Sequence, residues 1–196
     1  MKILYIDNYD SFANTIKAYF ENTGATVNML KSDCSIEIIK KEKFDLLLLG
    51  PGPNSPKEAG NYLELINIYH KIKPIFGICL GFQAMMEYFG EEVKPLKEVM
   101  HGSASEIEHD GKTIYQGIKN KEKFARYHSL GVKKVPNCFE ISGMANGIVM
   151  SARHKDLPIE GIQYHPESIL SMNNNAGQKL IENVVRNLKW KNLLKN

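Results

Sequence analysis

The segment that most constrains this chain is Gly77-Ile78-Cys79-Leu80-Gly81, which joins an apolar run (Pro74-Ile75-Phe76) to a helix-forming run at residues 82–89. A nucleophilic side chain with a glycine two positions away on each side, between strand and helix, has the pattern of a nucleophile elbow. The turn is so tight that side chains at 77 and 81 would clash, hence glycine at both. Such an elbow lifts the Cys79 thiol above the carboxyl end of a sheet. It also sets the thiol at a helix N-terminus, where free N–H groups and the helix dipole favour negative charge. A free cysteine is ordinarily an inert core residue, so the rest of the chain must decide between the two readings.

The order of elements agrees with the elbow. Residues 2–7 read as a short buried strand ending in Asp7, and Asp10 or Ser11 is placed to cap a helix that runs to about residue 22 and stops at Gly24. Residues 26–30 read as a second strand and 35–41 as helical. The apolar run at 44–49, broken by Gly50-Pro51-Gly52-Pro53, is a third buried strand. Leu63, Ile66 and Tyr69 share one face of the next helix, and 75–78 is a fourth strand. Alternating strands and helices predict an α/β fold, a mostly parallel central sheet with helices on both faces. Ligands then bind at the carboxyl ends of the strands, where Asp7, Gly50-Pro51-Gly52 and Cys79 all fall.

The second half changes character. His109-Asp110-Gly111-Lys112 and Ala145-Asn146-Gly147-Ile148 are hairpin turn signals, which predict a small antiparallel section. Residues 159–164 read as a strand running into His165-Pro166-Glu167, and 175–190 as a closing amphipathic helix. With no linker or repeat, residues 1–190 read as one domain and 191–196 as a C-terminal tail.

Composition narrows the function. The chain has 196 residues and a net charge of only +3, with no basic block to argue for nucleic acid. No apolar run approaches membrane-spanning length. Asp7 makes the first residues unlike a secretion signal. Cys34, Cys79 and Cys138 are odd in number and match no zinc or redox spacing, which predicts a reduced, cytoplasmic setting.

A cysteine nucleophile needs a base, and the base needs an orienting group. His165 and Glu167 are two apart, so on extended backbone both point to one side. Glu167 is then placed to accept from one imidazole nitrogen and leave the other for Cys79, while Pro166 stiffens the pair. The chemistry also needs an oxyanion hole. One donor is the N–H of Leu80, just after the nucleophile. The other is expected from the turn Gly50-Pro51-Gly52-Pro53-Asn54-Ser55-Pro56, where the N–H of Gly52 is free.

Taken together, these pieces closely resemble the class I (triad) glutamine amidotransferases. The matching motifs are Asp7-Asn8-Tyr9-Asp10-Ser11-Phe12, Pro51-Gly52-Pro53 and Gly77-Ile78-Cys79-Leu80-Gly81-Phe82-Gln83. They continue with Met100-His101-Gly102, Arg126-Tyr127-His128-Ser129-Leu130 and the stretch from Gly161 to Leu170. The first and fifth motifs resemble one branch, the glutaminase subunits of anthranilate and aminodeoxychorismate synthases. The resemblance implies a flavodoxin-like fold and a Cys79-His165-Glu167 triad that hydrolyses L-glutamine through a glutamyl thioester. It implies that Gln83 and backbone groups of Ser129 and Leu130 bind the substrate, beside an oxyanion loop of Gly52, Pro53 and Asn54. It implies no metal or organic cofactor on this chain. Ammonia would pass to a chorismate-binding synthase subunit, the hetero-oligomeric partner, which in the family binds Mg²⁺. Partner docking is expected to complete the oxyanion hole at the Gly52 loop.

Three positions depart from the family pattern. Asn54 stands where glycine is frequent, and asparagine tolerates a left-handed backbone better than most residues. Phe82 replaces a frequent histidine, and Ser103 a frequent lysine. The sequence Pro53-Asn54-Ser55-Pro56 leans towards the aminodeoxychorismate branch. The competing readings are another cysteine hydrolase on a similar sheet and a non-catalytic regulatory subunit. The first lacks the His-Pro-Glu pair together with Gln83, and the second needs none of these side chains.

Overall fold

The computed structural model describes residues 1–97, 102–171 and 173–189. Met100, His101, Trp190 and the expected tail at 191–196 lie outside the described residues. The first half alternates strictly: β1 (Lys2–Asp7), α1 (Ala13–Glu21), β2 (Thr26–Lys31), α2 (Ile36–Ile39), β3 (Leu46–Leu49), α3 (Tyr62–Tyr69), β4 (Ile75–Ile78) and α4 (Leu80–Tyr88). The second half supplies β5 (Lys94–Pro95), β6 (Ser103–His109), β7 (Glu122–Arg126), β8 (Leu130–Gly131), β9 (Phe139–Ala145), β10 (Ile148–His154), β11 (Ile159–Ile162) and α5 (Ala176–Asn187). No described helix is long and apolar enough to cross a membrane.

Nine strands form one sheet in the order β2-β1-β3-β4-β11-β10-β9-β6-β7. The pairings from β2 through β11 are parallel, and those from β11 to β7 antiparallel. The antiparallel section is therefore an extension of the main sheet; among the described residues, only β5 and β8 pair apart from it. The parallel strands read as unbroken apolar runs because both faces are covered. Ile3, Tyr5, Leu46, Leu48, Phe76 and Ile78 pack with α1 and α5 on one side. Leu4, Ile6, Leu47, Leu49 and Ile75 alternate with them and pack with α3 and α4 on the other.

Two local expectations are corrected and one is extended. Helix α1 starts after Phe12, without a side-chain cap, because the Asp10 carboxylate accepts one turn earlier, from the Phe12 N–H at 2.7 Å. The apolar face of α3 is broader than foreseen: Ile66 and Tyr69 are buried and Leu63 packs against the same cluster, joined by buried Tyr62 and Leu65. The Tyr62 hydroxyl fixes the start of the helix, donating to the carbonyls of Ile6 (2.9 Å) and Gly50 (3.1 Å). The turn at 109–112 is not a tight hairpin turn: β6 and β7 pair antiparallel, but across a longer connection. The chain enters a 3₁₀ turn, Thr113–Tyr115, which buries Ile114 and Tyr115 before β7 begins. The Asn146-Gly147 turn does join β9 to β10, with φ of 50° and 73° at those residues.

Two features support the strands around the elbow. A Cβ at Gly81 would overlap the Leu49 carbonyl oxygen, and one at Gly77 would lie 2.6 Å from the Gly81 carbonyl carbon. Near the start of β11, buried Glu160 accepts from Thr113 Oγ1 at 2.8 Å and faces Arg153, which also pairs with Asp110 and Glu140. Burial pushes the Glu160 carboxyl up to about 8, against the opposing pull of Arg153 and Thr113.

Gly81→Ala should lower stability by about 2 kcal/mol or more, since the backbone carbonyl it meets has nowhere to move; denaturant unfolding checks this. For Glu160, the folded chain holds a proton that the unfolded chain releases near 4.5, so stability should fall as pH rises from there through about 8. Unfolding at a series of pH values should show that decline, and Glu160→Gln should flatten it.

Candidate active site at the carboxyl end of the sheet

Strand β4 ends at Ile78 and α4 begins at Leu80, so Cys79 makes the whole turn alone, at φ 52° and ψ −101°. A side-chain-bearing residue is rarely found there, and the surroundings must hold it. Its N–H donates to the Ile162 carbonyl at 2.8 Å, and its carbonyl accepts from the Gln83 N–H at 3.0 Å. Gly81 donates to the Gly50 carbonyl at 3.1 Å, tying the elbow to the end of β3.

His165 follows β11 and is fixed by its N–H, which donates to the Ala125 carbonyl of β7 at 2.9 Å. Its Nδ1 lies 2.7 Å from Glu167 Oε1, both side chains being buried. Nε2 is the nitrogen left for Cys79, and it has no hydrogen-bond partner among the described residues. Burial works against charge on this imidazole. The Glu167 carboxylate and the neighbouring Cys79 sulfur outweigh it and hold His165 well above its ordinary value. The ring forms a cluster with Phe12 and Tyr127, whose centroids are 5.5 and 5.2 Å away and 5.3 Å from each other.

The glycine-rich turn approaches from β3. Gly52 is partly buried, whereas Pro53 and Asn54 are exposed at the tip. Asn54 has φ 70°, the left-handed conformation foreseen for it. Asn8 Nδ2 donates to the Pro53 carbonyl at 3.3 Å, and Ser32 Oγ donates to Asn8 Oδ1 at 2.6 Å, so β1 and β2 anchor the loop. Neither the Leu80 N–H nor the Gly52 N–H donates to a backbone acceptor among the described residues.

Gln83 sits one turn into α4, and its Nε2 donates to the Leu130 carbonyl and to Gln163 Oε1, each at 3.0 Å. The Leu130 carbonyl also accepts from His128 Nδ1 at 2.8 Å. Ser129 is exposed, and its carbonyl accepts from the Leu96 N–H at 2.8 Å. Phe82 turns away into the core between α4 and the sheet, and Ser103 opens β6.

The structure thus brings Cys79, His165, Glu167, Leu80, Gln83 and Leu130 to one end of the sheet, with Gly52 on the adjoining loop. Sequence reasoning missed three neighbours: Gln163, against the Cys79 sulfur, and the ring pair Phe12 and Tyr127. The alternation that pairs His165 with Glu167 also puts Gln163 on their side, so that signal was present.

Comparisons with known proteins agree with this architecture. The family "Glutamine amidotransferase class-I" matches residues 4–188. The chain is 43% identical over 187 residues to "Aminodeoxychorismate/anthranilate synthase component 2" of Bacillus subtilis, covering 93% of this chain and 95% of that one. It is 44% identical over 191 residues to "Anthranilate synthase component 2" of Methanocaldococcus jannaschii, covering 94% and 96%. Against "Aminodeoxychorismate synthase component 2" of Escherichia coli it is 40% identical over 188 residues, covering 92% and 97%. The crystal structure of a putative GMP synthase subunit from Thermoplasma acidophilum superposes with a TM-score of 0.84, at 22% identity, over 96% of this chain and 94% of that one, a likeness of fold. With the elbow at Cys79 and a profile match spanning nearly every described element, the chain belongs to the class I glutamine amidotransferase family.

Proposed function

We propose that this chain is the glutaminase component of a chorismate-aminating synthase, releasing ammonia from L-glutamine for a separate, chorismate-binding subunit. The observation that carries the reading is the buried His165–Glu167 pair, 2.7 Å apart, with its free imidazole nitrogen left for a cysteine held on an elbow. In this reading the Cys79 sulfur attacks the side-chain amide carbon of glutamine. The N–H groups of Leu80 and Gly52 receive the oxyanion. Collapse breaks the C–N bond, and ammonia leaves with a proton from His165. Water then attacks the thioester, giving a proton to His165, and the C–S bond breaks to release glutamate. Glu167 orients the imidazole and supports its positive charge.

Gln83 and the backbone of Ser129 and Leu130 hold the amino-acid end of the substrate, and Pro53 and Asn54 shape the oxyanion loop. Every step uses this chain and water, so the reading assigns it no metal or organic cofactor. Ile169 and Leu170 are 76% and 40% exposed directly after the His165–Glu167 segment. With Pro53 and Asn54 they offer a rim for the synthase subunit, whose docking would move the Gly52 loop into its working position. The relatives carry anthranilate and aminodeoxychorismate names at similar identity, which supports a component serving either amination or both.

The test is glutamate release by the chain alone and with each chorismate-binding synthase. Turnover should rise at least about tenfold with a synthase; activation by one names the pathway, and by both a shared subunit. Cys79→Ser should lose roughly 10³–10⁴-fold or more and Glu167→Gln about a hundredfold or more, without loss of fold. Equal turnover with and without a synthase would sink the docking step. Absence of glutamate in every condition would overturn the enzyme reading and leave a regulatory subunit.

A further inference from the structure

We infer that Gln163 is a further catalytic residue of this site, whose side-chain N–H stabilises the Cys79 sulfur whenever that sulfur carries negative charge. The inference rests on the glutaminase reading above. Gln163 is 0% exposed, and its Nε2 donates to Cys79 Sγ at 3.6 Å.

The hydrogen-bond network determines which end of the amide meets the sulfur. The Leu130 carbonyl can only accept, so Gln83 must present Nε2 to it. The same nitrogen donates to Gln163 Oε1, which occupies the oxygen of Gln163 and turns its Nε2 towards Cys79. His128 braces this arrangement from behind. Its Nδ1 donates to the Leu130 carbonyl, and its Nε2 accepts from Arg126 Nε at 3.0 Å. Burial, opposed by the Leu130 carbonyl and reinforced by Arg126, lowers His128 to about 4, so the ring stays neutral with its proton on Nδ1.

A neutral thiol or thioester sulfur is a weak acceptor, whereas an anionic sulfur is a strong one. A buried N–H aimed at sulfur therefore discriminates between those states. It helps maintain the nucleophile before attack. It helps again in deacylation, when the C–S bond breaks and the electron pair stays on sulfur. Removing it should slow deacylation more than acylation, so kcat and KM should fall together and the glutamyl thioester should accumulate.

The test uses Gln163→Met, which keeps the length without the donor, and Gln163→Glu, which keeps the shape with an oxygen in place of nitrogen. In the substrate-free chain, iodoacetamide alkylation at neutral pH is followed by mass spectrometry on the Cys79 peptide, apart from Cys34 and Cys138. The rate should fall about tenfold or more in either variant that retains the parent circular dichroism, the range for a lost hydrogen bond to a charged group. With glutamine and a synthase, the same variant should lose kcat and KM together and carry a thioester on Cys79. Unchanged alkylation in a folded variant overturns the assignment, whatever the turnover. A lower kcat with KM unchanged and no thioester overturns the deacylation role. A parent chain whose Cys79 is alkylated faster than that of the variants, yet which releases no glutamate, would instead count against the glutaminase reading alone.

Discussion

The contact on which the site depends is made by backbone alone, where α4 meets the end of β3. With no side chain at 81, the helix start lies against the Leu49 carbonyl, and the Gly81 N–H reaches the Gly50 carbonyl at 3.1 Å. The Tyr62 hydroxyl donates to that same Gly50 oxygen and to Ile6. The carbonyls of Gly50 and Ile6 together fasten β1, β3, α3 and α4. This closeness holds Cys79 in a backbone conformation that an isolated residue would leave. It also sets the Gly52 loop beside the N-terminus of α4, so that N–H groups from two separate segments can serve one oxyanion. Such preorganisation requires rigid support, and elements clamped at their backbones supply it.

The antiparallel extension is the second support. Strand β7 receives the His165 N–H at Ala125, and Ser171 bridges the two segments, its Oγ accepting from the Ala125 N–H at 2.8 Å and donating to the His165 carbonyl at 2.6 Å. The segment after β7 delivers Tyr127 against the imidazole, and His128 and Leu130 behind Gln83. Phe12 packs beside Tyr127 against the same imidazole, the two aromatic centroids lying 5.3 Å apart. These buried polar groups would be costly singly; most are linked to one another, while at the centre His165 Nε2 and Glu167 Oε2 have no hydrogen-bond partner among the described residues.

Much of this was legible in the chain because it is local. The elbow is five consecutive residues, the parallel strands announce themselves as unbroken apolar runs, and the His165–Glu167 pair follows from two-residue alternation. The Asn54 conformation follows from asparagine's own tolerance. The expectations that failed were those in which a distant group outvoted the local pattern. At α3 the apolar spacing found Leu63, Ile66 and Tyr69 but not the buried Tyr62, whose hydroxyl reaches carbonyls at the ends of β1 and β3. The turn at 109–112 carries hairpin residues, but burial of Ile114 and Tyr115 draws the chain inward and delays the strand that pairs with β6 until residue 122.

The sequence by itself determined an α/β chain with a cysteine on a strand–helix elbow, a histidine oriented by a carboxylate and a glycine-rich loop at a strand end. Each of these is written in residues that are neighbours along the chain or repeat at a fixed short period. Only the tertiary structure decided which buried groups face one another: the Gln163 amide against the Cys79 sulfur, Gln83 between Leu130 and Gln163, and Tyr127 against His165. The hydrogen bonds among these pairings join residues 47 to 84 positions apart, and they form because burial leaves each polar group no water to turn to.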